Sequence, residues 1–534
     1  MSIGLIASAA TINPEMAAEF GPLPPAFLPL GNARLFCLQA ALLRRVADRV
    51  FLSLPQSFRM ADHDSRLLDD LGVTVVRVAD GLALADSLMV ALAQCLGGNE
   101  QLFILHGDTL FLGLESFPRD GLSVHADEHP YPWAQMEQRD PVRLSPVGEE
   151  TGPGVSLVSG MFAFSSGAEF LRCLGEARSD FLAAINFYAA RHPDFDGVDD
   201  CGQWLDLGHL NTYYASRRTI TTERAFNTLS ITRHAVCKTS AQAGKMEAEA
   251  SWYENLPPAL KGHVPAFLGR TGIDSNRAGY YLRYEYLCPL SDLYVFGAVS
   301  QEMWRKILSG CADILGEMRA CKPRRIGDGW FSALYRGKTL DRFQRFARDT
   351  GIDPDHPWTL NGRPLPAPRV LIEEMAGIVG PPGEEDAGIL HGDFCFSNIL
   401  YDFRRASVTL IDPRGFVEDG KPEIFGDTRY DVGKLHHSVL GRYDFILAGY
   451  FALERVAPYA VLFEVSGPDC HDAVARAFRE CICDGDPARE RVAGAISVLL
   501  HLSMLPLHAD APRRQLALLA NGYRLYQQYF AEAA

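Results

Sequence analysis

The sequence has no pair of cysteines at the Cys-x-x-Cys spacing that metal knuckles and redox motifs use. Its 12 cysteines are scattered along 534 residues, and the closest two, Cys481 and Cys483, are separated by a single residue. This pattern supports neither a zinc knuckle nor a disulfide framework, and it is typical of buried, reduced thiols. We therefore expect a cytoplasmic protein.

Two features of membrane and secreted proteins are also missing. The apolar segment Met1–Ala10 contains no basic residue, whereas a signal peptide begins with a positively charged region. No run reaches the roughly 18 apolar residues that a spanning helix needs, and the best candidate, Ala495–Leu507, is interrupted by His501. We expect no signal peptide and no membrane insertion, and we interpret Ala495–Leu507 as a buried C-terminal helix.

Positive charge is in deficit. The chain has 51 Lys and Arg against 66 Asp and Glu, which gives a net charge of −15 and disfavours nucleic acid as a partner. The fractions of hydrophobic residues, 47%, and charged residues, 22%, are those of an ordinary globular protein. At roughly 150 residues per domain, the length predicts more than one domain.

The first 110 residues alternate strand-like and helix-like segments, which predicts a parallel sheet wrapped by helices. The predicted strands are Ile3–Ala7, Val50–Leu54, Val73–Val78 and Leu102–Leu105, and the predicted helices are Leu35–Val50, Asp64–Leu71 and Ala85–Leu96. Ligands bind at the carboxyl ends of such strands. Asp108 follows the last of these strands, so we expect it to face a ligand or a metal.

A second carboxylate, Asp206, lies in the segment Trp204-Leu-Asp-Leu-Gly208. Two aspartates from separate strands can hold one Mg²⁺, which favours oxygen ligands and few protein groups. Each aspartate alone is equally explained as a turn or helix-cap residue. The two together, in this order along the chain, favour a metal site.

These segments resemble sugar-phosphate nucleotidyltransferases: Leu23–Leu30, His106-Gly-Asp108 and Trp204–Gly208 occupy the places of that family's motifs. The resemblance implies a Rossmann-like, mostly parallel α/β domain over residues 1–220, with Mg²⁺ at Asp108 and Asp206 and CTP or another nucleoside triphosphate as substrate. The family's Gly-rich opening with an Arg is replaced by Ile6–Thr11, and its following Lys by prolines.

The missing Arg and Lys matter because departing pyrophosphate accumulates negative charge that must be stabilised. Arg34, Arg44 or another basic residue would have to replace them. The alternative is a degenerate domain that binds a ligand or a subunit without catalysis.

The second half contains His391-Gly-Asp393-Phe-Cys-Phe-Ser-Asn398, followed by Thr409-Leu-Ile-Asp412. This spacing is that of a kinase catalytic loop and its metal-binding aspartate. Asp393 is the candidate base for an attacking hydroxyl, and Asn398 and Asp412 are candidate Mg²⁺ ligands. Taken singly, His391 and Asn398 could be an ordinary loop histidine and a capping residue.

These residues resemble the aminoglycoside phosphotransferase and choline kinase superfamily. The resemblance implies a bilobal α+β protein-kinase-like domain over residues 221–534, with an N-lobe at about 221–290 and a helical C-lobe at about 291–534. ATP would be the phosphoryl donor and Mg²⁺ the cofactor. The chain has His-Gly-Asp rather than His-Arg-Asp and no Ala-Pro-Glu segment, which disfavours a protein kinase.

The N-lobe predictions follow from this resemblance. Two strands, Arg224–Ile231 and His234–Lys238, precede an amphipathic helix at Lys245–Leu256. Lys238 is the candidate phosphate-binding lysine, and Glu249 rather than Glu247 is its expected ion-pair partner; solvated charges are the alternative for both. The turn at Asn227 and Thr228 would cover the phosphates.

The segment Tyr280–Leu287 reads as a strand that leads into the interlobe hinge, where Glu285 and Leu287 would bind adenine through their backbone. A basic and Pro-rich insertion, Arg324–Ile389, would help to form the acceptor pocket, and Lys338 within it reads as a solvated residue at a helix start. We interpret Asp427 and Asp431 as structural. The last 100 or so residues read as helical.

The two resemblances together imply phosphorylation of a small sugar, polyol or amino alcohol and coupling of the phosphate product to a nucleotide. An NDP-activated group of this kind would serve bacterial surface polysaccharide or lipid headgroup synthesis, by analogy of fold. The alternative is a small-molecule kinase with a non-catalytic nucleotidyltransferase-like domain. The expected partners are small molecules and nucleotides, and homo-oligomerisation stays open.

Overall fold

The computed structural model describes residues 1–125, 131, 133–137, 141–147, 156–199, 201–220, 227–271, 278–417 and 421–531. The chain forms two compact units. The first comprises Met1–Ile220 together with Phe296–Ala298, and the second comprises Thr221–Val295 together with Val299–Ala534.

The first unit is an α/β structure. Its strands are β1 (Ser2–Ala7), β2 (Pro29–Leu30), β3 (Ala33–Arg34), β4 (Arg49–Pro55), β5 (Val73–Val78), β6 (Gln101–His106), β7 (Thr109–Leu112), β8 (Gly121–His125), β9 (Ala134–Glu137), β10 (Arg143–Pro146), β11 (Ser156–Phe164), β12 (Asp196–Val198) and β13 (Gln203–Asp206). Its helices are α1 (Pro14–Phe20), α2 (Leu35–Leu43), α3 (Asp62–Asp70), α4 (Leu84–Cys95), α5 (Gly167–Glu176), α6 (Phe181–Ala189) and α7 (Leu210–Arg217).

The main sheet of this unit has the strand order β10-β9-β11-β6-β1-β4-β5, with β8 and β12 branching from β11. Strands β6, β1, β4 and β5 are parallel to one another, and β11 runs antiparallel to β6. A parallel core of this kind needs helices on its faces, and α2, α3 and α4 supply the connections. The prediction of an α/β fold with a mostly parallel sheet is confirmed for this unit.

One predicted helix is shorter than expected. The pattern predicted a helix over Leu35–Val50, but α2 ends at Leu43. Asp48 accepts a hydrogen bond from the backbone N–H of Ser2 at 2.8 Å, and the chain enters β4 at Arg49. Pairing with β1 therefore takes the residues that the sequence assigned to the end of the helix.

The second unit is α+β. Its strands are β14 (Asn227–Ile231), β15 (Ala235–Ser240), β16 (Phe267–Arg270), β17 (Ala278–Arg283), β18 (Cys288–Pro289), β19 (Trp358–Leu360), β20 (Arg363–Leu365), β21 (Ala387–Ile389), β22 (Ile399–Asp402), β23 (Ser407–Leu410), β24 (Phe425–Asp427), β25 (Phe451–Ala457) and β26 (Ala460–Val465). Its helices are α8 (Ala243–Asn255), α9 (Leu290–Phe296), α10 (Gln301–Ala320), α11 (Trp330–Leu334), α12 (Arg336–Thr350), α13 (Pro368–Val379), α14 (Arg429–Val439), α15 (Tyr443–Leu447), α16 (His471–Cys481), α17 (Pro487–Met504) and α18 (Pro512–Tyr529).

Its N-terminal part is an antiparallel sheet in the order β14-β15-β17-β16, against which α8 packs. The rest is mainly helical, with α17 packed against α12, α13, α14 and α18. A small sheet, β18-β22-β23, carries the segment between these two parts. This arrangement agrees with the predicted bilobal α+β fold class.

Three details of this unit differ from the sequence-based expectations. The predicted strand over Tyr280–Leu287 ends at Arg283, so the last four residues form an irregular connection to β18. Asn227 and Thr228 lie in strand β14, and the turn to β15 comes at residues 232–234. Arg224, the predicted start of the first strand, lies outside the described residues.

The expectation of an all-helical C-terminal region is also wrong. Strands β25 and β26 form a hairpin, and β26 pairs in parallel with β19. Within the described part of the chain, one helical segment, Pro487–His508, is long and apolar enough to cross a membrane. Because 67% of its apolar window is buried inside the unit, the same segment meets the description of a core helix.

Candidate active sites

The catalytic-loop motif of the second unit follows strand β21 and is held by a buried aspartate. The backbone N–H groups of His391 and Gly392 each donate to the Asp431 carboxylate at 2.8 Å. Gly392 has a φ of 77°, a conformation that favours glycine. The His391 ring is fully buried, and burial lowers its pKa to about 4, so it is neutral and supports the loop.

Asp393 points to two partners. One of its carboxylate oxygens accepts from Asn398 Nδ2 at 2.9 Å, and the other is 2.7 Å from Lys434 Nζ. Its side chain is 31% exposed, so the carboxylate is held in place and is still reachable. The sequence analysis did not single out Lys434, although it lies one turn after Tyr430 in the Gly426–Leu435 motif.

Asp412 follows strand β23 and contacts the lysine that the sequence selected. Lys238 Nζ contacts Asp412 Oδ1 and lies 2.7 Å from Glu249 Oε2, and the Tyr280 hydroxyl donates to the same Glu249 oxygen at 2.7 Å. Lys238 therefore pairs with Glu249, as predicted, and also with the candidate metal ligand. Asp412 has a φ of 59°, a conformation uncommon for non-glycine residues and concentrated at functional sites.

The charges of this group support one another. Burial alone would lower the pKa of Lys238, but the adjacent Asp412 and Glu249 carboxylates raise it above its ordinary value. Desolvation would raise the pKa of Asp412, but the Lys238 ammonium holds it below its usual range. Both groups are therefore charged at neutral pH, as binding of a metal and of phosphates requires.

The oxygen atoms of Asn398 and Asp412 fit Mg²⁺. Both hydrogen bonds of the Asn398 side chain use Nδ2, so Oδ1 is the atom that can bind a metal. Among the described residues, no group of three or more His, Cys, Asp or Glu side chains is placed to hold a metal alone. This suits Mg²⁺, which takes one or two carboxylates and completes its shell with water and substrate phosphates.

The predicted adenine-binding residues lie in the connection between β17 and β18. Glu285 accepts from Arg283 Nε at 2.9 Å, and its neighbour Tyr284 donates its backbone N–H to the His234 carbonyl at 2.9 Å. Glu285 and Leu287 are both half-buried. The structure thus places them on the segment that joins the antiparallel sheet to the rest of the unit.

In the first unit, Asp108 and Asp206 are brought together. Asp206 ends β13, opposite Thr109 of β7, and the Leu207 N–H donates to the Asp108 carbonyl at 2.9 Å. A Cβ on Gly208 would lie 2.6 Å from Asp108 Oδ2 and 3.3 Å from Asp206 Oδ1, so both carboxylates converge on this glycine. Desolvation and the Asp206 charge raise the pKa of Asp108 to about 6, as expected where a cation belongs.

The cations suggested for the first unit are engaged elsewhere. Arg34 is buried, donates to both carboxylate oxygens of Asp64 at 3.1 and 2.8 Å, and donates to the Phe27 carbonyl at 2.9 Å. Arg44 reaches over Gly72, where a Cβ would lie 2.9 Å from its Nη2. Gly72 precedes β5, so Arg44 lies at the amino ends of the strands, and neither arginine replaces the missing phosphate-binding groups.

The opening segment of the first unit is also occupied by internal bonds. The Ser8 N–H donates to the Ser53 hydroxyl at 3.0 Å, and the Ser8 hydroxyl accepts from the Ala26 N–H at 3.0 Å. The Ile12 N–H donates to the Leu23 carbonyl at 2.9 Å. These donors therefore stabilise the loop itself and are not free to bind a phosphate.

Lys338 is not the solvated residue that the sequence suggested. Its Nζ donates to the Tyr430 hydroxyl at 2.5 Å and lies 4.8 Å from the centre of the Tyr430 ring. Burial, followed by the charges of Arg414, Arg342 and Lys434, lowers its pKa well below the ordinary value. The prediction failed because Tyr430 lies 92 residues away in the sequence.

No family model and no curated protein matches the chain. Solved structures match in two groups that cover different parts of it, nucleotidyltransferases and phosphotransferase or choline kinase-like kinases. A nucleoside-diphosphate-sugar pyrophosphorylase from Vibrio cholerae is 12% identical, over 41% of this chain and 100% of that chain, with a TM-score of 0.33.

Two matches represent the second group. A choline/ethanolamine kinase family protein from Mesorhizobium loti is 11% identical, over 60% of this chain and 95% of that chain, with a TM-score of 0.33. A thermostable mutant of the aminoglycoside phosphotransferase APH(4)-Ia is 14% identical, over 58% of this chain and 94% of that chain, with a TM-score of 0.36. The two groups are those that the sequence motifs resemble.

Proposed function

We propose that the second unit transfers the γ-phosphoryl group of ATP to a hydroxyl group of a small molecule. The observation that carries this proposal is the convergence of Asp393, Asn398 and Asp412 beside the Lys238–Glu249 pair. Asp393 accepts the proton of the attacking hydroxyl, and Lys238 binds the phosphates of ATP. Positioning and charge stabilisation are the main contributions to such a transfer.

Asn398 and Asp412 would hold Mg²⁺, which neutralises charge on the β- and γ-phosphate oxygens when it is bound. Lys238 contacts Asp412 in the structure, so ATP phosphates entering the site would take over part of this contact. The backbone of Glu285 and Leu287 would hold the adenine ring at the connection after β17.

A coupled assay of ADP release with ATP and Mg²⁺ tests this function on sugars, polyols, amino alcohols and their acidic derivatives. We expect ADP release that depends on one acceptor class and that Asp412→Asn reduces by at least about 100-fold, since it removes a metal ligand. Asp472→Asn, an exposed aspartate on α16, is the matched control and retains activity. Equal activity of Asp412→Asn and the wild type would contradict the assignment.

We further propose that the first unit transfers a nucleotidyl group from CTP or another nucleoside triphosphate to the phosphorylated product. The convergence of Asp108 and Asp206 at Gly208 supports a bound divalent cation there. The resulting NDP-activated group would be a precursor for bacterial surface polysaccharide or lipid headgroups, and both steps would take place in the cytoplasm.

A second candidate for the first unit is a binding module without catalytic activity. The engagement of Arg34 by Asp64 and of the Ser8 N–H by Ser53 favours it, because a departing pyrophosphate needs cations and N–H donors. Among the described residues, the charge that acts on Asp108 is another carboxylate.

Pyrophosphate release decides between the two candidates. The protein is incubated with each nucleoside triphosphate and the kinase product, and Asp108→Asn is compared with Asp69→Asn, an exposed aspartate on α3. Release that is lost only in Asp108→Asn supports nucleotidyl transfer. No release across the panel, with kinase activity intact, supports the binding module.

A further inference from the structure

Two helices of the second unit bring cations to the side of the catalytic loop where an acceptor would bind. Lys338 and Arg342 are four residues apart on α12 and therefore lie on one helix face, and Tyr430 and Lys434 have the same relation on α14. Lys338 Nζ bonds the Tyr430 hydroxyl at 2.5 Å, and Lys434 Nζ lies 2.7 Å from Asp393. Tyr430 and Lys434 thus link Lys338 to the candidate base.

A third cation, Arg414, comes from the loop after Asp412. Its backbone N–H donates to the His391 carbonyl at 2.8 Å, and a Cβ on Gly392 would lie 2.6 Å from Arg414 Cβ. Gly392 therefore makes room for Arg414 directly against the catalytic loop. The Arg414 guanidinium lies 4.8 Å from the centre of the Phe416 ring and donates to the Val417 carbonyl at 3.3 Å.

The charges in this cluster are mostly of one sign. Lys338 is surrounded by the charges of Arg414, Arg342 and Lys434, and Asp393 is the carboxylate that acts on it in the opposite sense. Lys434 is already paired with Asp393. Partly buried cations that repel one another cost stability unless an anion joins them, so the cluster is suited to a negatively charged ligand.

We propose that the acceptor is a hydroxy compound that carries a carboxylate or a phosphate group, and that Lys338, Arg342 and Arg414 bind this anionic group while Asp393 receives the hydroxyl. This inference rests on the proposed kinase function and names its substrate class. It disfavours amino alcohols and amino sugars, because an ammonium group would be repelled by the same cations.

The size of the acceptor follows from the helix. Tyr430, which holds Lys338, and Lys434, which holds Asp393, are separated by four residues, a rise on the order of 6 Å along the helix axis. A compound of a few carbon atoms, or a single sugar ring with an acidic substituent, spans this distance. In the transfer, the acceptor oxygen forms a bond to the γ-phosphorus, the bond to the β,γ-bridging oxygen breaks, ADP leaves, and the hydroxyl proton passes to Asp393.

Matched series of acceptors that differ only in charge test the inference. One series is glycerol, glycerate, glycerol 3-phosphate and 3-aminopropane-1,2-diol, and the other is glucose, glucuronate, glucose 6-phosphate and glucosamine. We expect the acidic member of a series to have a kcat/KM about 10- to 100-fold above that of its neutral counterpart, as charge-assisted hydrogen bonds supply. The carboxylate and phosphate members show which anion is used.

Variants assign the effect to the cluster. Lys338→Met and Arg342→Gln should each raise the KM for the acidic acceptor about tenfold and leave the KM for ATP and the activity on neutral acceptors unchanged. Lys306→Met, an exposed lysine on α10, is the control. Thermal unfolding of each variant checks that it is folded. Equal losses on acidic and neutral acceptors would overturn the inference.

Calorimetric binding of the same compounds, with a non-hydrolysable ATP analogue present, separates this inference from the kinase function. Binding of the acidic compounds without ADP formation from ATP contradicts the kinase function and supports the anion site. ADP formation with neutral or amine acceptors in preference to acidic ones contradicts the anion site alone. Neither binding nor ADP formation contradicts both.

Discussion

Asp412 pairs with Lys238 and Asp393 pairs with Lys434, so each reactive carboxylate of the second unit faces an ammonium group. An adjacent positive charge favours the ionised carboxylate, which is the form that a metal ligand and a general base need. The pairs also fix the orientation of both side chains before a substrate arrives, which reduces the entropy that the reaction must overcome.

Asp444 carries a prediction at the residue scale. It is buried in α15, and burial, opposed by a hydrogen bond from Ser438, raises its pKa to about 7. The folded protein therefore holds this proton at pH values where the unfolded chain, with an ordinary pKa near 4, has released it. The contribution of Asp444 to stability should fall as the pH rises from about 4 to 7.

Asp444→Asn should remove this dependence, because Asn resembles the protonated form. The free energy of unfolding of the variant, relative to wild type, should increase between pH 5 and pH 8, by up to about 4 kcal/mol for a shift of about three units. Urea unfolding of both proteins at the two pH values measures it. A difference that does not change with pH would show that Asp444 is ionised in the fold.

At the scale of elements, the contact between α14 and α17 positions the catalytic loop. Helix α14 carries both Asp431, which holds the loop, and Lys434, which holds Asp393. Gly433 lies between them, and a Cβ at this position would overlap the side chain of Ile496 on α17. Close approach of the two helices therefore requires glycine here.

Gly433→Ala should lower the free energy of unfolding by about 1–3 kcal/mol through overpacking, although alanine favours the helix. Gly494→Ala on α17 is the matched control, because its Cβ would have ordinary contacts, the nearest at 3.6 Å from Phe530 and Tyr529. The control should be neutral or stabilised by up to about 1 kcal/mol. Thermal and urea unfolding compare them, and equal effects of the two substitutions would refute the packing argument.

The elements that the sequence predicted well are those with a local signal. The alternating segments of the first 110 residues give β1, β4, β5, β6 and the helices between them, with β5 at the predicted Val73–Val78. The hairpin β25–β26 was missed because its residues are Ala- and Leu-rich and because its partner β19 pairs from 101 residues away, with Thr359 opposite Ala460. Non-local pairing of this kind leaves no periodic pattern.

The site shows the same division. Spacing identified Asp393, Asn398 and Asp412, and the structure brings Lys238 and Glu249 to them. Their roles in catalysis stay predictions. Lys338 and Arg34 were misjudged because their partners, Tyr430 and Asp64, are distant in sequence, and only the folded chain decides whether a basic side chain is solvated or buried.

At the scale of the whole molecule, two compact units each carry their own carboxylates, Asp108 and Asp206 in the first and Asp393 and Asp412 in the second. The net charge of −15 belongs to the surface as a whole, whereas the cluster around Asp393 is locally positive. Local charge, and not the net charge of the chain, therefore indicates which ligand each unit binds.

The most direct test of the account is acceptor-dependent ADP formation by the wild type and by Asp393→Asn, measured side by side with ATP and Mg²⁺. Removal of the base should lower kcat by about 100- to 10,000-fold, the range for general base catalysis, with little change in the KM for ATP. Asp472→Asn should match the wild type. ADP formation by Asp393→Asn at the wild-type rate, with the same acceptor, would contradict the central claim that this loop is the catalytic site.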